Sequence, residues 1–126
     1  SSDLKLRQIL INLLSNSAKF TRDGEISLKF SLLNETTYQF EITDTGIGIP
    51  AEEIPKLFES YSQATNSHSN YEGTGLGLAI TKKLTDLLEG DIKVKSEVDV
   101  GTTFTLILPD LSPVMADMTY MPERVP

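Results

Sequence analysis

The chain has 126 residues, 39% of them apolar and 23% charged, enough for one domain built around a two-layer core. It has no cysteine and a single histidine, which excludes a disulfide framework and thiol catalysis, suits a reducing compartment and argues against a zinc site. Eleven basic against eighteen acidic residues leave a net charge of −7, the wrong sign for a nucleic-acid surface, so any anionic ligand must be held by local geometry. No apolar run approaches the ~18 residues of a membrane span, and no charged-then-apolar leader is visible.

Ser2 or Asp3 can cap a helix running through "LKLRQILINLLSNSAKF". "RDGE" at 22–25 reads as a turn. "EISLKFSLL" then alternates, with Ile26, Leu28, Phe30 and Leu32 on one side, and "NETT" turns the chain into "YQFEITD", where Tyr38, Phe40 and Ile42 alternate in the same way. These two strands are expected to pair as an antiparallel hairpin. "PAEEIPKLFES" reads as a short helix, with Pro50 at its first turn and acidic residues near its positive end. Residues 60–73 are polar, lack periodicity and form a loop long enough to suggest a lid. "GLGLAITKKLTDLLEG" predicts a second amphipathic helix closed by Gly90. "DIKVKSEV" and "TTFTLILP" follow as two strands, the second with Phe104, Leu106 and Leu108 on one face. There is no internal repeat. The order predicts an α/β (α+β) two-layer sandwich, a mixed and mostly antiparallel sheet with helices packed on one face.

Residues 1–109 make up this domain. From residue 110 the character changes to a Pro- and Met-rich linker or flexible tail, in which Met115, Met118, Tyr120 and Met121 offer an adaptable docking surface.

Three stretches carry chemistry. At about 100° per residue, Asn12, Asn16 and Lys19 share one stripe of the first helix beside the apolar arc of Leu6, Ile9, Leu10, Leu13 and Leu14. Asparagine is a poor helix former, so two of them one turn apart suggest a chemical role. An amide oxygen suits Mg²⁺, and a lysine meets phosphate oxygens. A solvated polar face is the alternative for this helix taken alone. "DTGIGIP" at 44–50 follows a strand, so Asp44 is placed to accept from a donor such as an exocyclic amine, while Gly46 and Gly48 allow a flat ligand to come close. A ligand-free turn is the alternative there. "GTGLGLAI" at 73–80 runs a glycine turn into a helix start, which can hold an anion; it lacks the Gly-Lys-Ser/Thr of a Walker loop and does not follow a strand as a Rossmann turn does.

These stretches, in this order and joined by "LFESYSQA" at 57–64 and "SEVDVGTTFTLILP" at 96–109, resemble the catalytic, ATP-binding domain of sensor histidine kinases, in the superfamily shared with gyrase, Hsp90 and MutL. "NLLSNSAKFT" looks like the N box, "DTGIGIP" and "GTGLGLAI" the two glycine boxes and "LFESYSQA" the phenylalanine box. The resemblance covers residues 3–109 and implies the Bergerat ATP-binding fold. It implies that Asn16 coordinates Mg²⁺ bridging the ATP phosphates, with Asn12 beside it, and that Asn16 and Lys19 are the catalytic pair, Lys19 holding a phosphate oxygen. Phe20 would pack near the adenine or ribose, and Asp44 would accept from the adenine amino group. Gly46 and Gly48 would let the backbone pass the base, and Phe58 would anchor the base of the lid. Gly73, Gly75 and Gly77 would close over the phosphates with Leu76 and Leu78 beneath; Ile49, Thr74 and Thr103 complete the implied nucleotide contacts.

The chain departs from the family pattern in places. Ser17 replaces the usual alanine, Tyr61 a commoner phenylalanine and Glu72 a glycine, and "NSHSNYEG" offers only His68 where relatives carry Lys or Arg. The implied activity is transfer of the γ-phosphate of Mg-ATP to a histidine on a separate dimerisation domain, which nothing in this chain resembles. A response-regulator receiver domain would act downstream. The isolated domain is expected to be a monomer, without nucleic acid or direct membrane contact. It is expected in the cytoplasm, in a parent either free or anchored in the membrane as sensor kinases usually are. The alternative is a degenerate or non-kinase ATP-binding module of the same superfamily.

Overall fold

In the computed structural model, residues 2–59 and 77–109 are described. Helix α1 spans Ser2–Lys19. It contains no glycine or proline, and Leu6, Ile9 and Leu13 recur at helical spacing and are buried together with Ser17. Ser2 and Asp3, expected outside the helix as caps, both lie within it, and Asp3 instead pairs with Arg7 one turn on at 3.5 Å. After Lys19 the chain turns through Asp23, whose φ is 51°, into strand β1 (Ile26–Leu32) and strand β2 (Thr37–Asp44). The side chain of Asn34 closes this hairpin by accepting from the backbone N–H groups of Thr36 and Thr37 at 2.9 and 3.0 Å, the local turn chemistry asparagine favours.

The expected helix after Pro50 is a short 3-10 helix, Ala51–Lys56. Pro55 inside it has no N–H to give, so the longer-range ladder of an α-helix does not form. Helix α2 spans Gly77–Leu87. Its end differs from the expected glycine cap: Glu89 takes the left-handed conformation, with φ of 60°. Gly90 stands one residue later, its N–H donating to Thr85 O at 2.9 Å, the six-to-one bond of a Schellman close. Strands β3 (Asp91–Glu97) and β4 (Gly101–Pro109) complete the sheet.

The strand order is β1-β2-β4-β3, and every pairing among the described residues is antiparallel. The two α-helices lie against one face, and one cluster of side chains fills the space between the layers. Registered rows cross the sheet on that face. Phe40, Leu106 and Ile92 form one row, and Ile42, Phe104 and Val94 the next. Phe104 and Leu106 are wholly buried, and at about 25 cal/mol per Å² such residues supply most of the driving force for folding. The next row in register is polar: Asp44, Thr102 and Ser96. The apolar core therefore stops at one end of the sheet.

The outer strand β1 departs from expectation in its burial. Ile26, Leu28, Phe30 and Leu32 share a face, as their alternation predicts, yet each is between 39% and 59% exposed. Among the described residues, α1 and α2 cover β2, β4 and β3 and leave β1 at the margin. Its aromatic contact is lateral instead, Phe30 lying 5.0 Å from Phe40 and 5.5 Å from Tyr38 between ring centroids.

Candidate functional site

The polar end of the sheet meets the C-terminal end of α1. Ile47 N–H donates to Phe20 O at 3.1 Å, and Thr45 N–H to Glu25 O at 3.1 Å, so the turn after β2 is laced to the turn after α1. Asp44, at the end of β2, is 5% exposed. Its Oδ1 accepts from Gly46 N–H at 2.8 Å and Thr102 N–H at 3.3 Å. Two backbone donors hold the carboxylate in one orientation, and among the described residues none donates to Oδ2.

Gly46 and Gly48 are required by close approach. A Cβ on Gly46 would lie 2.3 Å from Phe20 O. Gly48 has φ of +77°, and a Cβ there would lie 2.1 Å from Glu97 O. Ile49 is 1% exposed, and its N–H donates to Ser96 Oγ at 2.8 Å. Ser96 Oγ also reaches Thr102 Oγ1 at 2.7 Å, so the whole polar row is hydrogen-bonded to the glycine turn.

Two hydroxyls, Ser17 Oγ and Thr21 Oγ1, are buried and have no partner among the described residues. Thr21 Oγ1 and Asp44 Oδ1 both lie within 3.0 Å of the point a Gly46 Cβ would occupy. An orphaned buried hydroxyl costs about 1–3 kcal/mol, so Thr21 marks the Asp44 turn as a place where polar groups are held ready.

On α1, Asn16 is half-buried and Lys19 exposed. The Lys19 ammonium makes no ion pair among the described residues and lies 5.8 Å from the ring centroid of Phe20. Phe20 packs against the core at the margin of the site. Asn12 is engaged across the helix pair: its Nδ2 donates to Gly77 O at 3.3 Å and Thr81 Oγ1 at 3.2 Å. Gly77 opens α2, and Leu78 beside it is 5% exposed in the core. Phe58 meets Phe104 edge-on at 6.3 Å, which fixes the end of the segment following the 3-10 helix.

The structure thus brings Asn12, Asn16, Lys19, Phe20, Asp44, Gly46, Gly48, Ile49, Gly77 and Leu78 to α1, the glycine turn and the start of α2. Gly73, Thr74, Gly75 and Leu76 lie outside the described residues, as do Tyr61, His68, Glu72 and the tail from residue 110. Thr103 stands apart. It pairs with Thr43 and shares a 3.0 Å hydroxyl contact with it, on the face of the sheet away from the helices. A hollow of about 410 Å³ is lined by Thr103 with Thr43 and Lys95 and also by Asp44, Ser96 and Thr102, so Thr103 reaches the edge of the polar row but not Asn16 or Lys19, which do not line it.

Sequence reasoning missed Thr102, Ser96, Thr21 and Thr81. The strand parity set by Phe104, Leu106 and Leu108 places Thr102 on the helix side, and Val94 does the same for Ser96, so those two were within reach. Thr21 and Thr81 had no such signal.

The donors suit a magnesium–nucleotide pair. No cluster of His, Cys, Asp or Glu able to hold a metal occurs among the described residues. Mg²⁺ commonly takes only one or two protein oxygens and completes its shell with water and substrate phosphates, so a lone carboxamide such as Asn16 with a nearby ammonium fits. A carboxylate held by two backbone donors fits a base amine.

Comparison with known proteins gives the family. Residues 1–112 match the family described as "Histidine kinase-, DNA gyrase B-, and HSP90-like ATPase". The chain is 44% identical over 110 residues to hybrid signal transduction histidine kinase B of Dictyostelium discoideum, covering 83% of this chain and 6% of that protein. It is 43% identical over 106 residues to the aerobic respiration control sensor protein ArcB of Escherichia coli K12, covering 82% of this chain and 14% of that protein. The chain thus spans a small part of the curated relatives it matches. A crystal structure of full-length ShkA in complex with AMPPNP superposes with a TM-score of 0.74 at 33% identity, over 84% of this chain and 21% of that one. The fold, the order of the motifs and these matches agree: the chain belongs to the histidine kinase-, DNA gyrase B- and HSP90-like ATPase family.

Proposed function

We propose that this chain is the ATP-binding catalytic domain of a sensor histidine kinase, binding Mg-ATP and delivering its γ-phosphate to a histidine on a separate dimerisation domain of the parent protein. The observation that carries the reading is the Asp44 carboxylate. One oxygen is fixed by two backbone donors and, among the described residues, the other receives none, at the end of the sheet where the α1 stripe of Asn16 and Lys19 also arrives. The named histidine kinases among its relatives support the transfer, and the AMPPNP in the ShkA complex supports an adenine nucleotide. A receiver domain downstream and a cytoplasmic setting belong to the same proposal; among the described residues no helix is long and apolar enough to cross a membrane. The isolated chain is a monomer in this reading.

Asp44 accepts from the adenine amino group and so selects the base. Gly46 and Gly48 keep the turn flat enough for the ring, and Phe20 and Ile49 supply apolar surface at its edge. Lys19 holds a phosphate oxygen and offsets its charge. Asn16 would hold Mg²⁺, whose role is to neutralise charge on the phosphate oxygens. The acceptor imidazole nitrogen bonds to the γ-phosphorus, the bond from that phosphorus to the β–γ bridging oxygen breaks, and ADP leaves. The protein's contribution is positioning and electrostatics, the usual economy of phosphoryl transfer.

The test is calorimetric titration of a non-hydrolysable ATP analogue into the chain and its Asn16→Ala variant, with and without Mg²⁺, followed by transfer to an added dimerisation domain. Micromolar binding strengthened by Mg²⁺, with that increment lost in N16A, and a phosphohistidine on the added domain are expected. No binding at millimolar nucleotide refutes the reading. Binding without transfer restricts it to a nucleotide-binding module.

A further inference from the structure

The carboxamide of Asn12 is oriented by its surroundings. Gly77 O can only accept, so the Asn12 atom 3.3 Å from it is Nδ2. Thr81 Oγ1 donates to that same carbonyl at 2.9 Å. Its lone pairs are then left to receive the second Nδ2 hydrogen at 3.2 Å. With the nitrogen so placed, Oδ1 faces the N-terminal side of α1 and accepts from Gln8 Nε2 at 2.8 Å. Gln8 lies one turn before Asn12 and Asn16 one turn after it, so this oxygen turns away from Asn16. Thr81 is wholly buried.

We propose that Asn12 is a positioning residue: with the Thr81 hydroxyl, it latches the first carbonyl of α2 onto α1 and so sets where the glycine-box end of α2 stands relative to Asn16 and Lys19. The proposal rests on the nucleotide-site reading above and changes the part Asn12 plays in it, from phosphate–metal group to clamp between the two helices. A helix start aims its first backbone N–H groups out along the helix axis. Their aim at a phosphate depends on the direction of the first turn, and the Gly77 carbonyl belongs to that turn. Thr81 acts only through this latch.

The experiment uses the whole chain and its N12A, T81V, T81S and N12A/T81V variants, with D44N as a control. Each is titrated with a non-hydrolysable ATP analogue with and without Mg²⁺, and each is unfolded thermally without nucleotide. N12A and T81V are each expected to weaken binding about three- to tenfold, the scale of one net hydrogen bond. The double variant is no weaker than N12A, T81S restores parental binding, and the ratio of affinities with and without Mg²⁺ is unchanged in every variant of the latch. The two single-variant shifts in unfolding temperature are likewise expected to be non-additive.

If N12A erases the Mg²⁺ ratio while T81V binds like the parent, Asn12 is a metal or phosphate ligand and the proposal is overturned. Additive losses in the double variant, in binding or in unfolding, also overturn it. If T81V does not fold, the Mg²⁺ ratio of N12A decides: an unchanged ratio supports the latch and an erased one overturns it. If D44N binds nucleotide as tightly as the parent, the base-site reading has failed, and the latch then stands or falls on the non-additivity of the unfolding shifts.

Discussion

Replacing Asp44 by asparagine separates the structural work of this side chain from its work on a ligand. Its Oδ1 accepts backbone N–H bonds of 2.8 and 3.3 Å from Gly46 and Thr102. An asparagine oxygen can keep both, so the fold loses only the charge assistance of those bonds, about 1–2 kcal/mol. The other position changes sign. An acceptor open to the ligand becomes an NH₂ donor, which loses the bond to an adenine amine and sets donor against donor, about 2–4 kcal/mol or roughly 30- to 1,000-fold in affinity. An NH₂ donor can serve a carbonyl at the same ring position, so an inosine nucleotide is expected to gain on the adenine one. Titration calorimetry with both nucleotides reads this, and denaturant unfolding checks that the variant is folded. A folded D44N that binds the adenine analogue within about threefold of the parent, with no shift toward inosine, would refute the assignment of Asp44 to the base.

Two further substitutions probe the frame around the site. Gly48→Ala places a Cβ 2.1 Å from Glu97 O at a φ of +77°, and a loss of about 2–4 kcal/mol in denaturant unfolding is expected; an unchanged midpoint would mean that the turn relaxes freely. Ser17→Ala removes a wholly buried hydroxyl with no partner among the described residues, so stability is expected to hold or rise by up to about 1 kcal/mol. A loss greater than that in the same assay would show that the hydroxyl has a bonded role, such as holding a buried water.

The local elements were legible in the sequence because each rests on short-range physics. The helical spacing of Leu6, Ile9 and Leu13, the parity of Phe104, Leu106 and Leu108, the turn at Asn34 and the glycines of "DTGIGIP" all act within a few residues. They sufficed for two helices against one sheet face and for placing Asp44 at a strand end. The same parity would have preferred Thr102 to Thr103, since strand neighbours face opposite ways. Only the assembled structure decided the rest, because it depends on partners far apart in the chain. Asn12 finds Gly77 and Thr81, 65 and 69 residues away, and no periodicity within α1 reveals which way its amide turns. Glu89, not Gly90, takes the left-handed φ, while Gly90 stands where a Cβ would come within 2.6 Å of Ile107 O, a strand partner more than fifteen residues on. The apolar side of β1 shares a face with the core yet lies partly open, since burial depends on where α1 crosses the sheet and not on alternation. The sequence by itself determined the elements and the chemistry they carry; the tertiary structure decided which of those groups meet, because long-range contacts alone fix the relative placement of α1, the glycine turn and α2.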